Sequence, residues 1–250
     1  MAEGGSTQSD GTYALAGALL AAGSVVLFMG TLFYIRLTPQ LGLPALAADR
    51  TQALADALAV GAHRMALAGG FAFFGDVLLV AGCIALVTRR KLPGSDLEPF
   101  GWTLIAVSAA IALVFDSVMA VLLAPLAHLP DPGTFLAFKG WFDFLFAAGD
   151  VPFGVGAIAV LSADARSDAP LLPKTVDAFG IAVGAVALVS GMGYVTGTLV
   201  LPPAIGLTVT LGCTVFAALG MQIAHREGTQ PSRAQGSASL AAAVATGPRR

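Results

Sequence analysis

The sequence predicts an all-α, polytopic transmembrane helix bundle of six spans with both termini cytoplasmic, on three observations. Six apolar runs are each about as long as the ~20 residues that cross a bilayer. Hydrophobic residues make up 56% of the chain and charged residues only 11%, against roughly a quarter charged in ordinary soluble domains. Lys and Arg are also spread unevenly between alternate loops. A chain of 250 residues has room for one bundle and short loops, so any function lies in the membrane or just outside it.

Residues 1–12, MAEGGSTQSDGT, are polar, Gly-rich and acidic and read as a disordered N-tail. They lack the basic segment that precedes the apolar core of a cleavable signal peptide, so the first run, 13–35, is expected to remain as a span. Tyr13, Phe33 and Tyr34 lie near its ends, where amphipathic rings favour the interface. The segment from Arg36 to Arg64 is too polar to span. Asp49 followed by Gln52 resembles a capping box, and a short external helix is expected to lead into the second span.

That second span, 65–87, carries Asp76 near its middle and ends on Arg89, Arg90 and Lys91. Turn-rich LPGSDLEP then forces a loop. The third span, 100–124, carries Asp116 and is closed by Pro125. The fourth, 135–161, carries Lys139, Asp143 and Asp150. Spacings of four and seven residues place those three side chains on one helix face. Pro152 removes a backbone donor two residues after Asp150 and is expected to kink or open the helix there.

In the fifth span, 178–200, Gly180 and Gly184, then Gly193 and Gly197, repeat the small-xxx-small spacing of close helix packing. Pro202 and Pro203 turn the chain into the sixth span, 205–223. Residues 226–250, rich in Ala, Gly, Ser, Thr and Arg, read as a disordered C-tail.

The loops after the second and fourth spans, with the two tails, hold Arg89, Arg90, Lys91, Arg166, Lys174, Arg226, Arg233, Arg249 and Arg250; the other loops hold only Arg36, Arg50 and Arg64. The positive-inside rule then puts both termini in the cytoplasm. With that topology and about 1.5 Å of rise per residue, Asp116 and Asp143 form an outer layer and Asp76 and Asp150 a layer near the midplane. Ionisable groups at this depth cost a few kcal/mol unless they pair or meet water, so they normally face a bundle interior. Asp76, Asp116, Asp143 and Asp150 are therefore the candidate proton- or cation-binding residues, with Arg64 and Lys139 shaping an outer entrance. Carboxylates sharing a dry site cannot easily all ionise, so a proton, a metal ion or a cationic solute would supply the missing positive charge.

Bland readings stand beside these. Lys139 and Asp143 at i,i+4 form an ordinary helix-surface ion pair, Asp116 can bond a neighbouring helix, and Asp150 can serve only the kink. His63, His128 and His225 lie near the membrane surfaces with no haem or zinc spacing, and no cofactor or metal is assigned. No nucleotide loop occurs. The net charge of -2 argues against nucleic acid as a partner. Cys83 and Cys213 fall inside apolar runs as small buried thiols.

The stretch GFAFFGDVLLVAGCIALVTRR, led into by a long helix, and the later LLPKTVDAFGIAVGAVALVSGMGY resemble an uncharacterised family of six-span bacterial membrane proteins, over Ala62 to Tyr194 and through Asp76, Pro173, Gly180 and Tyr194. The resemblance implies a six-helix bundle in a bacterial cytoplasmic (inner) membrane and names no substrate. The leading functional expectation is passage of a proton, cation or small solute past the acids, alone or as a homodimer in the lipid bilayer. Its competitor is an accessory subunit whose acids pair with basic residues of a membrane-complex partner. An enzyme comes third and needs a lipid-sized cavity at the carboxylates.

Overall fold

A computed structural model of the chain describes residues 7–41, 51–89, 97–126, 132–198 and 202–229. These residues form an all-α bundle with six helices long and apolar enough to cross a membrane. They are α1 (Thr7–Leu41), α2 (Thr51–Arg89), α3 (Leu97–Val118), α4 (Pro132–Ala165), α5 (Lys174–Val195) and α6 (Pro202–Thr229). Residues 1–6 of the expected N-tail and 230–250 of the expected C-tail lie outside the described residues. The helices start or stop several residues from the hydropathy limits: α1 already includes 7–12 and α6 continues to Thr229. Asp49 of the expected capping box also lies outside the described residues. From Thr51 a single continuous helix runs through the second span.

The six helices form a ring in chain order. Each packs on its sequence neighbour and α6 returns to α1, with α5 against α6 the sparsest seam. Glycines set the closest approaches, because a Cβ there would run into the facing backbone. A methyl group on Gly23 would lie 2.8 Å from the Gly75 carbonyl oxygen and the Leu79 nitrogen, and one on Gly75 2.7 Å from the Leu27 nitrogen, which fastens α1 to α2. One on Gly220 would lie 2.6 Å from both the Ala21 nitrogen and the Gly17 oxygen, which fastens α6 to α1.

Of the four glycines expected to pack, Gly184 does so against the Gly154 carbonyl, and Gly180 leaves room for Leu161 and Val215. Gly193 is buried. Gly197 has a different task. It adopts φ 69° in open space, and Gly197 and Thr198 donate their backbone N–H groups to the carbonyls of Tyr194 and Gly193. That is a left-handed helix stop, so α5 ends at Val195 instead of continuing to 200.

α3 gives way after Val118 to a wider π-helical turn, Met119–Leu123, and a last turn, Ala124–Leu126. Pro152 neither breaks nor opens α4, which is continuous around it. The adjacent carbonyl of Gly149 accepts a 2.8 Å hydrogen bond from the Ser108 hydroxyl of α3. Hydroxyls of neighbouring helices are a usual way to support backbone near a membrane proline.

Between α4 and α5 the chain is held by its own charges. The Asp164 carboxylate accepts the N–H groups of Leu171 (2.9 Å) and Leu172 (3.0 Å), and Arg226 donates to the carbonyls of Ala169 and Pro170. Replacing Arg226 by alanine should loosen this loop at a cost of about 1 kcal/mol. Faster amide exchange confined to 167–172 would report it; unchanged exchange there would show that Asp164 suffices.

Candidate functional site

Two hydrophobic clusters fill the ring at different heights. One gathers Leu20, Cys83, Leu86, Trp102, Leu161 and Leu219; the other gathers Met65, Phe115, Met119, Leu123, Phe135 and Phe142. A cavity of about 90 Å³ is lined by residues of α1, α2, α3, α4 and α6 and by Met119 of the π turn. α5 supplies no lining residue; it supports α4 from behind, with Gly191 against the Ala147 carbonyl and the Asp150 Cβ.

Three acids reach this cavity. Asp76, Asp116 and Asp150 are 2%, 1% and 3% exposed and all line it. The carboxyls of Asp76 and Asp116 come within hydrogen-bond reach of each other, and Oδ2 of each has no partner. Two carboxyls bond one another only through a shared proton or a cation, since an ionised carboxylate has no donor. Asp150 accepts a long, 3.4 Å hydrogen bond from the Thr208 hydroxyl of α6. Among the described lining residues there is no Lys, Arg or His.

The outer pair of Asp116 and Asp143 is not formed: Asp116 meets Asp76, while Asp76 and Asp150, expected together, both line the cavity. Asp143 does not line the cavity. It bonds to Lys139, one turn earlier on α4. Lys139 is 6% exposed, donates to the Tyr34 hydroxyl of α1 and sits 5.4 Å over the Phe142 ring. Tyr34 and Phe142 both line the cavity, so the ion pair lies directly behind its wall. Arg64 is exposed on α2 and does not line the cavity.

Aromatic rings bracket the acids. Phe115 stands edge-on to Phe142 and Phe146 at 5.4 and 5.1 Å. Phe216 meets Phe153 at 5.8 Å and Trp102 at 6.0 Å. Such pairs are worth ~1 kcal/mol each beyond their buried area, and Phe115, Phe142, Phe146, Phe153 and Phe216 all line the cavity.

Four participants were not singled out in the sequence: Ser24 and Ser108, which line the cavity, Thr208, and Tyr34 in its role as partner of Lys139. Ser24 and Ser108 give no signal in isolation, because hydroxyls are common in membrane helices. A fourth buried acid, Asp177, lies outside the cavity in the first turn of α5, where the helix dipole favours negative charge. His63 and His225 are exposed and His128 lies outside the described residues. Among the described residues no cluster of three or more His, Cys, Asp or Glu is placed to hold a metal. Comparison with family models, with curated proteins and with solved structures returned no match.

Proposed function

We propose that the chain binds a proton or small cation in the central cavity and passes it across a bacterial cytoplasmic membrane, with both termini on the cytoplasmic side. One observation carries the reading. Three carboxyls from three helices converge, almost fully buried, on one cavity whose described lining holds no basic group. A positive charge is what such a site lacks, and buried intramembrane acids of this kind typically mark ion pathways. The asymmetry of Lys and Arg along the chain supports the orientation, and the six-span resemblance supports the location.

The accessory-subunit alternative would have the acids face the lipid perimeter to meet a partner's basic residues. Here they point inward, and Asp143 finds Lys139 within the chain, which favours the self-contained reading. A homodimer or complex partner would then meet the outer helix faces. A cavity of about 90 Å³ is also too small for the lipid that an intramembrane enzyme would need.

Proteoliposomes with an internal pH dye and a clamped potential test this. The wild-type protein should admit protons faster than empty vesicles, and a D76N/D116N variant should lose that increment by roughly thirtyfold, the lower range for removing a buried charge partner. A wild-type rate equal to that of empty vesicles, with imposed Na⁺ and K⁺ gradients also retained, would overturn the reading.

A further inference from the structure

Whether the cation is bare or organic turns on the cavity wall. We propose that the cavity takes a short-chain primary alkylammonium ion, its ammonium group held by Asp76, Asp116 and Ser24 and its hydrocarbon tail lying among the aromatic rings. The inference rests on the cation reading above and names the class of cation.

The unpartnered atoms set the head-group chemistry. Oδ2 of Asp76, Oδ2 of Asp116 and Oγ of Ser24 have no hydrogen-bond partner, and all three residues are no more than 2% exposed and line the cavity. Gly23 packs on Gly75, the residue before Asp76, and on Leu79, about one turn after it, so Ser24 stands near the height of Asp76 on the facing helix. A primary ammonium ion carries three N–H donors and no acceptor. It answers three acceptors, and its single positive charge balances the carboxyl pair when the two acids share one proton between them.

A hard metal ion fits less well. Ca²⁺ takes about six to eight oxygen ligands and Mg²⁺ demands octahedral geometry, whereas most of this wall is hydrocarbon: Leu27, Leu79, Ile105, Phe115, Phe146 and Phe153. The same wall suits an alkyl tail. Each buried methylene contributes about a fourfold gain in binding, and ring faces attract the cation itself. The volume, about 90 Å³, is a few times what a single water needs, so the tail is limited to roughly two to four carbons.

Isothermal titration of the protein in lipid nanodiscs tests this with methyl-, ethyl- and propylammonium, 1-propanol and Na⁺. Propylammonium should bind at least tenfold more tightly than 1-propanol or Na⁺, and affinity should rise by about fourfold per methylene along the series. Ser24→Ala, a small change that leaves both acids in place, should weaken propylammonium by roughly fivefold, and D76N/D116N by roughly thirtyfold. Equal binding of 1-propanol, or a flat chain-length series, would overturn the proposal in favour of an apolar pocket or a charge-only site. Na⁺ binding or proton passage without propylammonium binding would overturn the amine and leave the cation reading standing. Absence of all three would overturn both.

Discussion

Replacing Gly220 by valine should stop α6 from closing on α1 and cost more than about 3 kcal/mol of stability, the upper range for forcing atoms into a packed interior. The reason is the kind of neighbour. A Cβ at Gly220 would lie 2.6 Å from the Ala21 nitrogen and the Gly17 carbonyl oxygen, and backbone cannot rotate away as a side-chain tip can. The helices must separate, and the dispersion contacts along the whole seam weaken with them. Gly140→Ala and Gly70→Ala provide the contrast, since nothing lies within 4 Å of a Cβ at either site. They should leave stability unchanged or raise it by up to about 1 kcal/mol, as alanine is the better helix former. Thermal unfolding in detergent, followed by loss of the monodisperse peak, reads both effects. A G220V protein as stable as G140A would refute the account of that seam.

The second large effect is expected at the ion pair. Lys139→Gln removes the positive partner of Asp143 and leaves its charge beside apolar wall, at a cost of about 3 kcal/mol. This is the low end of the range for breaking a buried pair, chosen because the Asp143 side chain is still 26% exposed. Adding Asp143→Asn should return most of the loss, because the orphaned charge goes with it. The double-mutant cycle is therefore the measurement: a coupling near zero would mean that the pair is solvated and contributes as little as surface pairs do.

The spans were legible because hydropathy alone sets them, and the Lys139–Asp143 pair because a helix brings i and i+4 together wherever it lies. The pairing of the acids was not. Counting depth from hydropathy limits assumes that each helix starts where its apolar run does, yet α2 begins at Thr51 and α3 changes to a π turn three residues after Asp116. Hydropathy limits carry no information on the relative height of neighbouring helices, so they could not tell Asp76 from Asp143 as the partner of Asp116.

The packing glycines show a related limit. Spacing within one span singled out Gly184 and also Gly197, which terminates its helix. The closest backbone approach, Gly154 on the Gly184 carbonyl, involves a glycine the spacing singled out, but the other close seams at Gly17, Gly23, Gly75 and Gly220 rest on partners on other helices and give no local pattern. Pro152 was readable as a missing donor, but α4 runs on unbroken through it, and the nearby Ser108–Gly149 bond comes from a residue more than forty positions away in sequence.

The ring order also governs how the protein comes into being. Asp76, Asp116 and Asp150 all belong to helices made before α6, whereas Gly206, Val209, Cys213 and Phe216, which complete the cavity wall, and Thr208, which bonds Asp150, follow on α6. Chains are synthesised at about 5–20 residues per second, so a nascent five-helix intermediate persists for seconds with its acids lacking one wall and the Gly17 face of α1 bare. Until α6 arrives the chain must therefore carry its three inward-facing acids in an open ring, at the few-kcal/mol cost of an uncompensated ionisable group in a membrane.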